Sequence, residues 1–252
     1  MRLLSLSLLL LAAAPALRAQ VTILDEGTFS RSVNGTRVGR EDFSIRAARS
    51  APGAVFVAQA NVLEGEERRT LVLNADSLGG PVRFQLESRE ANTVVGSVVG
   101  ERQRSVWSGR ILTEQRESAY ELRLFPDVFL AEPGVVHALW FVLRFGQGRD
   151  VVLFAPSGPA QDTVRLVKAG ADSVTVSGRV LAAARWTLHR AADDALLWEI
   201  WLDDAGRILR ARHPASGLDA LRDDAPPETV DRSTAYTGQS PSLYTHIRTG
   251  IV

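Results

Sequence analysis

The sequence predicts a mainly β protein, a strongly curved antiparallel sheet with one or two short helices. Three observations predict it. Apolar and polar residues alternate with period two through most of the chain, turn residues interrupt the alternation at short intervals, and no long helical pattern separates the runs. Parallel pairing normally needs a helical crossover, so these strands are expected to pair antiparallel. The turns divide the chain into roughly fourteen candidate strands, and a twisted open sheet of more than about ten strands curls, splits or closes. The sheet should therefore curve.

The amino terminus reads as an export signal: Arg2, an apolar run over residues 3–14, then Pro15 and small residues up to Ala19. Cleavage is expected before Gln20. The apolar run is shorter than the roughly 20 residues a helix needs to cross a bilayer, so an uncleaved anchor is disfavoured. The sequence has no cysteine, hence no acyl acceptor for a lipoprotein and no disulfide. The expected product is periplasmic or extracellular, with no membrane span in the mature chain.

The strands come next. Asn34-Gly35 lies between alternating runs and is the strongest two-residue hairpin signal, because both central positions need positive φ. Val82-Arg83-Phe84-Gln85-Leu86-Glu87 and Tyr120-Glu121-Leu122-Arg123-Leu124 each offer one dry face and one wet face. Residues 172–180 and 185–190 repeat the pattern. Further breaks are read at Pro52-Gly53, Gly65, Gly79-Gly80-Pro81, residues 146–148, Ser157-Gly158-Pro159, Gly170 and Ala205-Gly206. The exception is residues 126–145, where Pro133, a residue favoured at the first helical position, is read as opening a helix over Val136, Leu139, Trp140 and Leu143 at i, i+3, i+4, i+7. This reads as a short helix suited to plugging the hollow of a curved sheet, with a buried strand as the alternative.

After His213-Pro214 the alternation stops. Residues 216–223 are expected to form one or two helical turns capped by Ser216 or Asp219. The domain is thus read as residues 20–222 and residues 223–252 as a loose tail, with an edge strand through Leu243-Tyr244 or Ile247 as an option.

Charge excludes one function class. Loss of Arg2 and Arg18 with the signal leaves 27 of the 29 basic residues against 29 acidic ones, interspersed rather than clustered. A nucleic-acid partner demands a basic surface, so none is expected. His137, His189, His213 and His246 lack metal-ligand spacing, and no metal or other cofactor is expected. No nucleophile elbow or phosphate loop is present, and Ser157 reads as a turn residue. The one catalytic cluster worth testing is His189, Asp203 and His213, which would meet only if neighbouring strands brought them together.

The aromatic residues carry more. In Trp198-Glu199-Ile200-Trp201-Leu202-Asp203 a regular strand sends the two indoles to opposite faces, so one must leave the core side. Trp140, Trp186, Trp198 and Trp201 are the candidate ligand-binding residues, with plain core packing as the alternative.

Two segments carry a resemblance. Residues 198–212, with a Trp and an Asp-x-x-Gly-Arg turn before a strand, resemble the late hairpin of a group of uncharacterised exported bacterial domains. Residues 27–39, followed by Glu41, Phe43 and Ile45, look like that group's opening hairpin. Such domains are similar to the periplasmic lipoprotein-localisation carriers, and the resemblance implies a half-barrel around a hydrophobic hollow with helical cover. Fold analogy alone does not transmit function. The leading expectation is a non-enzymatic exported envelope protein holding a lipid or other apolar ligand in that hollow. A structural or interaction module with an envelope-protein partner is the alternative, and an unrecognised hydrolase the third reading.

Overall fold

The computed structural model describes residues 21–47 and 53–224. The expected signal peptide, residues 1–19, and the expected tail from residue 225 onward lie outside the described residues. Strands β1 (Thr22–Val33), β2 (Thr36–Ala47), β3 (Phe56–Glu64), β4 (Glu67–Ala75), β5 (Pro81–Glu90), β6 (Thr93–Gln103), β7 (Val106–Thr113) and β8 (Glu117–Arg123) form an antiparallel meander. A three-residue strand, β9 (Val128–Leu130), and helix α1 (Leu139–Phe145) follow. A second meander runs through β10 (Asp150–Ala155), β11 (Ala160–Val176), β12 (Arg179–Arg190), β13 (Leu196–Leu202), β14 (Ile208–His213) and β15 (Leu218–Arg222). Strand β15 pairs with β1, joining both meanders into one 15-stranded sheet in the order 8-7-6-5-4-3-2-1-15-14-13-12-11-10-9.

The expected curved antiparallel sheet is present, with one parallel pair. Strands β9 and β10 run parallel, and the chain between them contains the single α-helix among the described residues, as a crossover requires. The sheet rolls until its two ends overlap. Trp107 of β7 meets Phe154 of β10 edge-on, with centroids 5.2 Å apart, and the Tyr120 hydroxyl of β8 donates to the Pro156 carbonyl at 2.8 Å. Gln161 of β11 then acts like a peptide unit beside β8: its Nε2 donates to the Arg123 carbonyl, and its Oε1 accepts from the Phe125 N–H, both at 2.9 Å.

The concave face holds one continuous core, from Phe29, Phe43 and Ile45 through Leu71, Phe84 and Trp107 to Ile200 and Ala220. Helix α1 fills its centre. Leu139, Trp140, Phe141, Val142 and Leu143 are consecutive and all buried, and a helix apolar on every side is stable only when surrounded. The sequence expectation of a plugging helix holds, but Pro133 does not open it. Residues 131–138 cross the barrel end first, and the helix begins at Leu139.

Two further expectations change, and a third holds. Gly170 is not a turn: it sits inside β11 at a register shift, and the hairpin turns at Ser177 and Gly178, whose φ values are 48° and 77°. The alternation over residues 172–180 therefore runs across a hairpin tip. Residues 217–223 are not helical. A 3₁₀ turn at Pro214–Ser216 leads into β15, where Leu218, Ala220 and Arg222 face the core, because slots between two strands reward alternation over helix propensity. Finally, Trp201 does leave the core side, as strand geometry requires. The long β11–β12 hairpin bends at its bulge and lays Val174, Val176 and Ala183 over Trp201 and Leu209, making a second small core. Trp201 Nε1 donates to Asp172 at 2.7 Å.

Candidate functional site

The barrel has two ends of different character. At one, marked by the turns at Asn34-Gly35 and Gly65-Glu66, residues 131–138 dip inward to α1 and are held by buried charge. The guanidinium of Arg31, 1% exposed, donates to Glu41 at 2.9 Å, to the Gly134 carbonyl at 2.6 Å and, through Nε, to Glu64 at 2.9 Å. Glu41, 0% exposed, also accepts the backbone N–H groups of Val136 and His137 at 3.1 and 2.9 Å, and His137 Nδ1 at 2.9 Å. Arg69 reaches the Pro133 carbonyl at 3.2 Å.

These bonds give an apolar segment the polar partners its backbone needs once water is excluded. Burial opposes the charge on Glu41, but the hydrogen bonds and field of His137, followed by the Arg31 guanidinium, outweigh it, so its pKa lies below the usual glutamate range. As the acceptor is a carboxylate, Nδ1 of His137 carries a proton, and buried Nε2 has no partner. Glu132, whose carboxylate accepts the Ser157 N–H at 3.3 Å, is shifted upward by burial, which Ser157 and Arg69 only partly offset. This end is a latch.

Sequence reasoning missed these residues. The signal that finds them is phase: Arg31 stands in register with Phe29, and Glu41 with Phe43 and Ile45, so each puts a charge where its strand faces the core.

The opposite end is open. A cleft of about 240 Å³ lies between the β4–β5 turn, the β6–β7 turn, the segment leading from β8 into β9 and the start of the β10 strand. Leu124, Val128 and Phe129 belong to the core and form its floor. Leu78 and Phe125, 57% and 58% exposed, stand at its lip. Asp76 organises one wall: its Oδ1 accepts the Leu78 and Gly80 N–H groups, each at 2.9 Å, while its Oδ2 accepts from Arg102. Arg149 donates to Asp127 at 2.6 Å on the other wall. A wider, shallow groove of about 570 Å³ crosses the outer face of β5 to β8, over mixed side chains such as Arg83, Val99, Ser108 and Glu121.

The four tryptophans read as ligand-binding candidates are dispersed. Trp140 packs edge-on against Phe141 and Phe145 on the plug, at 5.2 and 6.2 Å. Trp198 faces the main core beside His213 at 4.9 Å, Trp201 lies in the second core, and Trp186, half-buried, is approached by Lys168 at 5.9 Å. None of them lines the open cleft.

His189, Asp203 and His213 do not converge. Asp203 closes the β13–β14 turn, where it accepts from Arg207 at 2.7 Å, whereas His213 ends β14 at the far end of that hairpin, 2.9 Å from Ser216. His189 Nδ1 meets the Asp194 carbonyl at 3.1 Å. Among the described residues no group of His, Asp or Glu is arranged to hold a metal ion, and no helix is long and apolar enough to cross a membrane.

No protein-family model matches the chain, and no curated protein matches it. Among solved structures it is similar to a β-barrel-like protein of domain of unknown function DUF1849 from Brucella abortus, at 10% identity over 80% of this chain and 97% of that one, with a TM-score of 0.49. It is also similar to a DUF1329 family protein from Desulfovibrio piger, at 10% identity over 90% and 92% of the two chains, with a TM-score of 0.24. At these scores neither likeness carries an argument about function.

Proposed function

We propose that the chain is a non-enzymatic binding module of the exported, carrier-like kind, and that it takes a lipid or other apolar ligand at the open end of its barrel. The observation that carries this reading is the pairing of a core-floored cleft with Leu78 and Phe125 left more than half exposed at its lip. A soluble fold rarely leaves large apolar side chains together around a concavity unless something covers them. The centre of the barrel is occupied by α1, so the ligand enters where Phe129 and Leu124 come closest to solvent. The cleft is somewhat smaller than the roughly 300–1,000 Å³ typical of small-molecule sites, which suits one short chain or the end of a longer one. Trp140 is buried against Phe145 and does not line the cleft.

Native mass spectrometry and lipid extraction of protein purified from its source test the reading, together with titration of the neutral dye N-phenyl-1-naphthylamine. Saturable dye binding that weakens about tenfold in Phe125→Ser supports it, since one buried aromatic side chain contributes about 1.5–3 kcal/mol. No extractable ligand and no saturable dye binding would overturn it.

A further inference from the structure

We propose that the ligand of the open cleft is an amphipathic anion, with its apolar part between Leu78 and Phe125 and its oxyanion headgroup on Arg104. This rests on the cleft being a binding site. Three arginines and two aspartates line it. Arg102 is paired with Asp76 and Arg149 with Asp127, so those charges cancel in place. Arg104 remains: it is exposed and makes no hydrogen bond or ion pair among the described residues. The cleft therefore carries one uncompensated positive charge beside its exposed apolar lip.

The backbone supplies an independent observation. Gln103 and Val106 pair across a two-residue hairpin loop, and Arg104 is its first residue, at φ 58°. That left-handed conformation suits glycine or asparagine, and a long side chain there costs stability. A strained position at the edge of a cleft points to a role for the side chain it carries. The lip is also organised in advance, because Asp76 fixes the Leu78 backbone with one oxygen and the Arg102 guanidinium with the other. Arg102 keeps Nε and Nη1 available beside Arg104, and a guanidinium presents its donors in a fork that matches a carboxylate or phosphate. Groups already fixed on both the apolar and the cationic side lose little freedom when the ligand binds.

The test compares three probes by displacement of the neutral dye from the full-length protein: octyl phosphate, octanol and inorganic phosphate. Octyl phosphate is expected to bind at least tenfold more tightly than octanol, with the difference shrinking as salt is raised, and inorganic phosphate alone should displace nothing at matched concentration. Arg104→Gln should bring octyl phosphate down to the octanol level and leave octanol unchanged. Arg104→Gly should do the same while raising the melting temperature, which separates loss of the cation from loss of the fold. Equal affinity for octyl phosphate and octanol would overturn the anion and leave the cleft standing. Displacement by inorganic phosphate as strong as by octyl phosphate would show a simple phosphate site and overturn the amphiphile. Binding of neither octyl compound would overturn the cleft reading itself.

Discussion

Arg31 and Glu41 face each other at 2.9 Å with 1% and 0% of their side chains exposed, and the segment that plugs the barrel is bonded to both. A buried ion pair adds little net stability compared with apolar residues of the same shape, but losing one partner is costly. What this pair supplies is position. It fixes where residues 131–138 enter, and so where α1 lies.

Removing the shared acceptor should therefore be severe. Glu41→Ala leaves the Arg31 guanidinium, two backbone N–H groups and the His137 ring without their carboxylate. A loss of about 3–5 kcal/mol is expected in urea denaturation. A change below about 1 kcal/mol would mean that water or Glu64 replaces the bonds.

The same carboxylate sets an acid limb. Because the fold holds the Glu41 pKa below its ordinary 4.5, its contribution is complete above that pH and is lost as pH falls below 4.5 through the depressed native value. Glu132 works in the opposite sense. Its raised pKa favours the protonated form in the fold, so its contribution is present at low pH and lost as pH rises above 4.5 through the native value. Denaturation across pH should show the acid limb flattened in Glu41→Gln and the higher-pH loss flattened in Glu132→Gln. If the two variants move the profile in the same direction, the assignment fails.

Two glycines give a matched steric test. A Cβ on Gly39 would sit 1.7 Å from the Leu63 carbonyl oxygen, a backbone atom that no rotamer change can move aside. Gly39→Ala should cost about 1–3 kcal/mol or more, as overpacking does. Gly158 has nothing within 4 Å and no left-handed φ, so Gly158→Ala should be neutral or slightly stabilising. Thermal melts of the two variants check the pair.

Trp201 should hold the β11–β12 hairpin against the outer face. Trp201→Ala removes the centre of the second core and the bond to Asp172, at an expected cost of about 3–5 kcal/mol. Limited proteolysis should then cut near Ser177-Gly178 faster than in the wild type. Unchanged cutting would show that the strand ladder alone keeps the hairpin down.

Much of this architecture was legible in the sequence where a local rule governed. Asn34 and Gly35, at φ 49° and 81°, make the hairpin their residue types demand. The apolar run around Trp140 became the expected plug because it has no polar face. Opposite exits for Trp198 and Trp201 followed from strand geometry. The failures came where a neighbour outranked the local pattern. Leu218 and Ala220 looked like a helical turn until the gap between β1 and β14 claimed them, and Gly170 looked like a turn until β12 paired on both sides of it. The site was hardly legible, since Leu78, Arg104 and Phe125 come from three different connections and meet only across the barrel end.

By itself, then, the sequence determined the alternation, most of the turns, the antiparallel pairing and an apolar run around Trp140 suited to a plug, because each depends on side-chain period or on φ at one or two adjacent residues. Tertiary structure decided the pairing of β15 with β1, the overlap of the sheet ends, the Arg31–Glu41–His137 latch and the cleft. Those depend on groups far apart in the chain: Glu41 and His137 are 96 residues apart in sequence and 2.9 Å apart in space. No local periodicity encodes such a distance. It is fixed only when the rolled sheet buries both groups and leaves each the other as its hydrogen-bond partner.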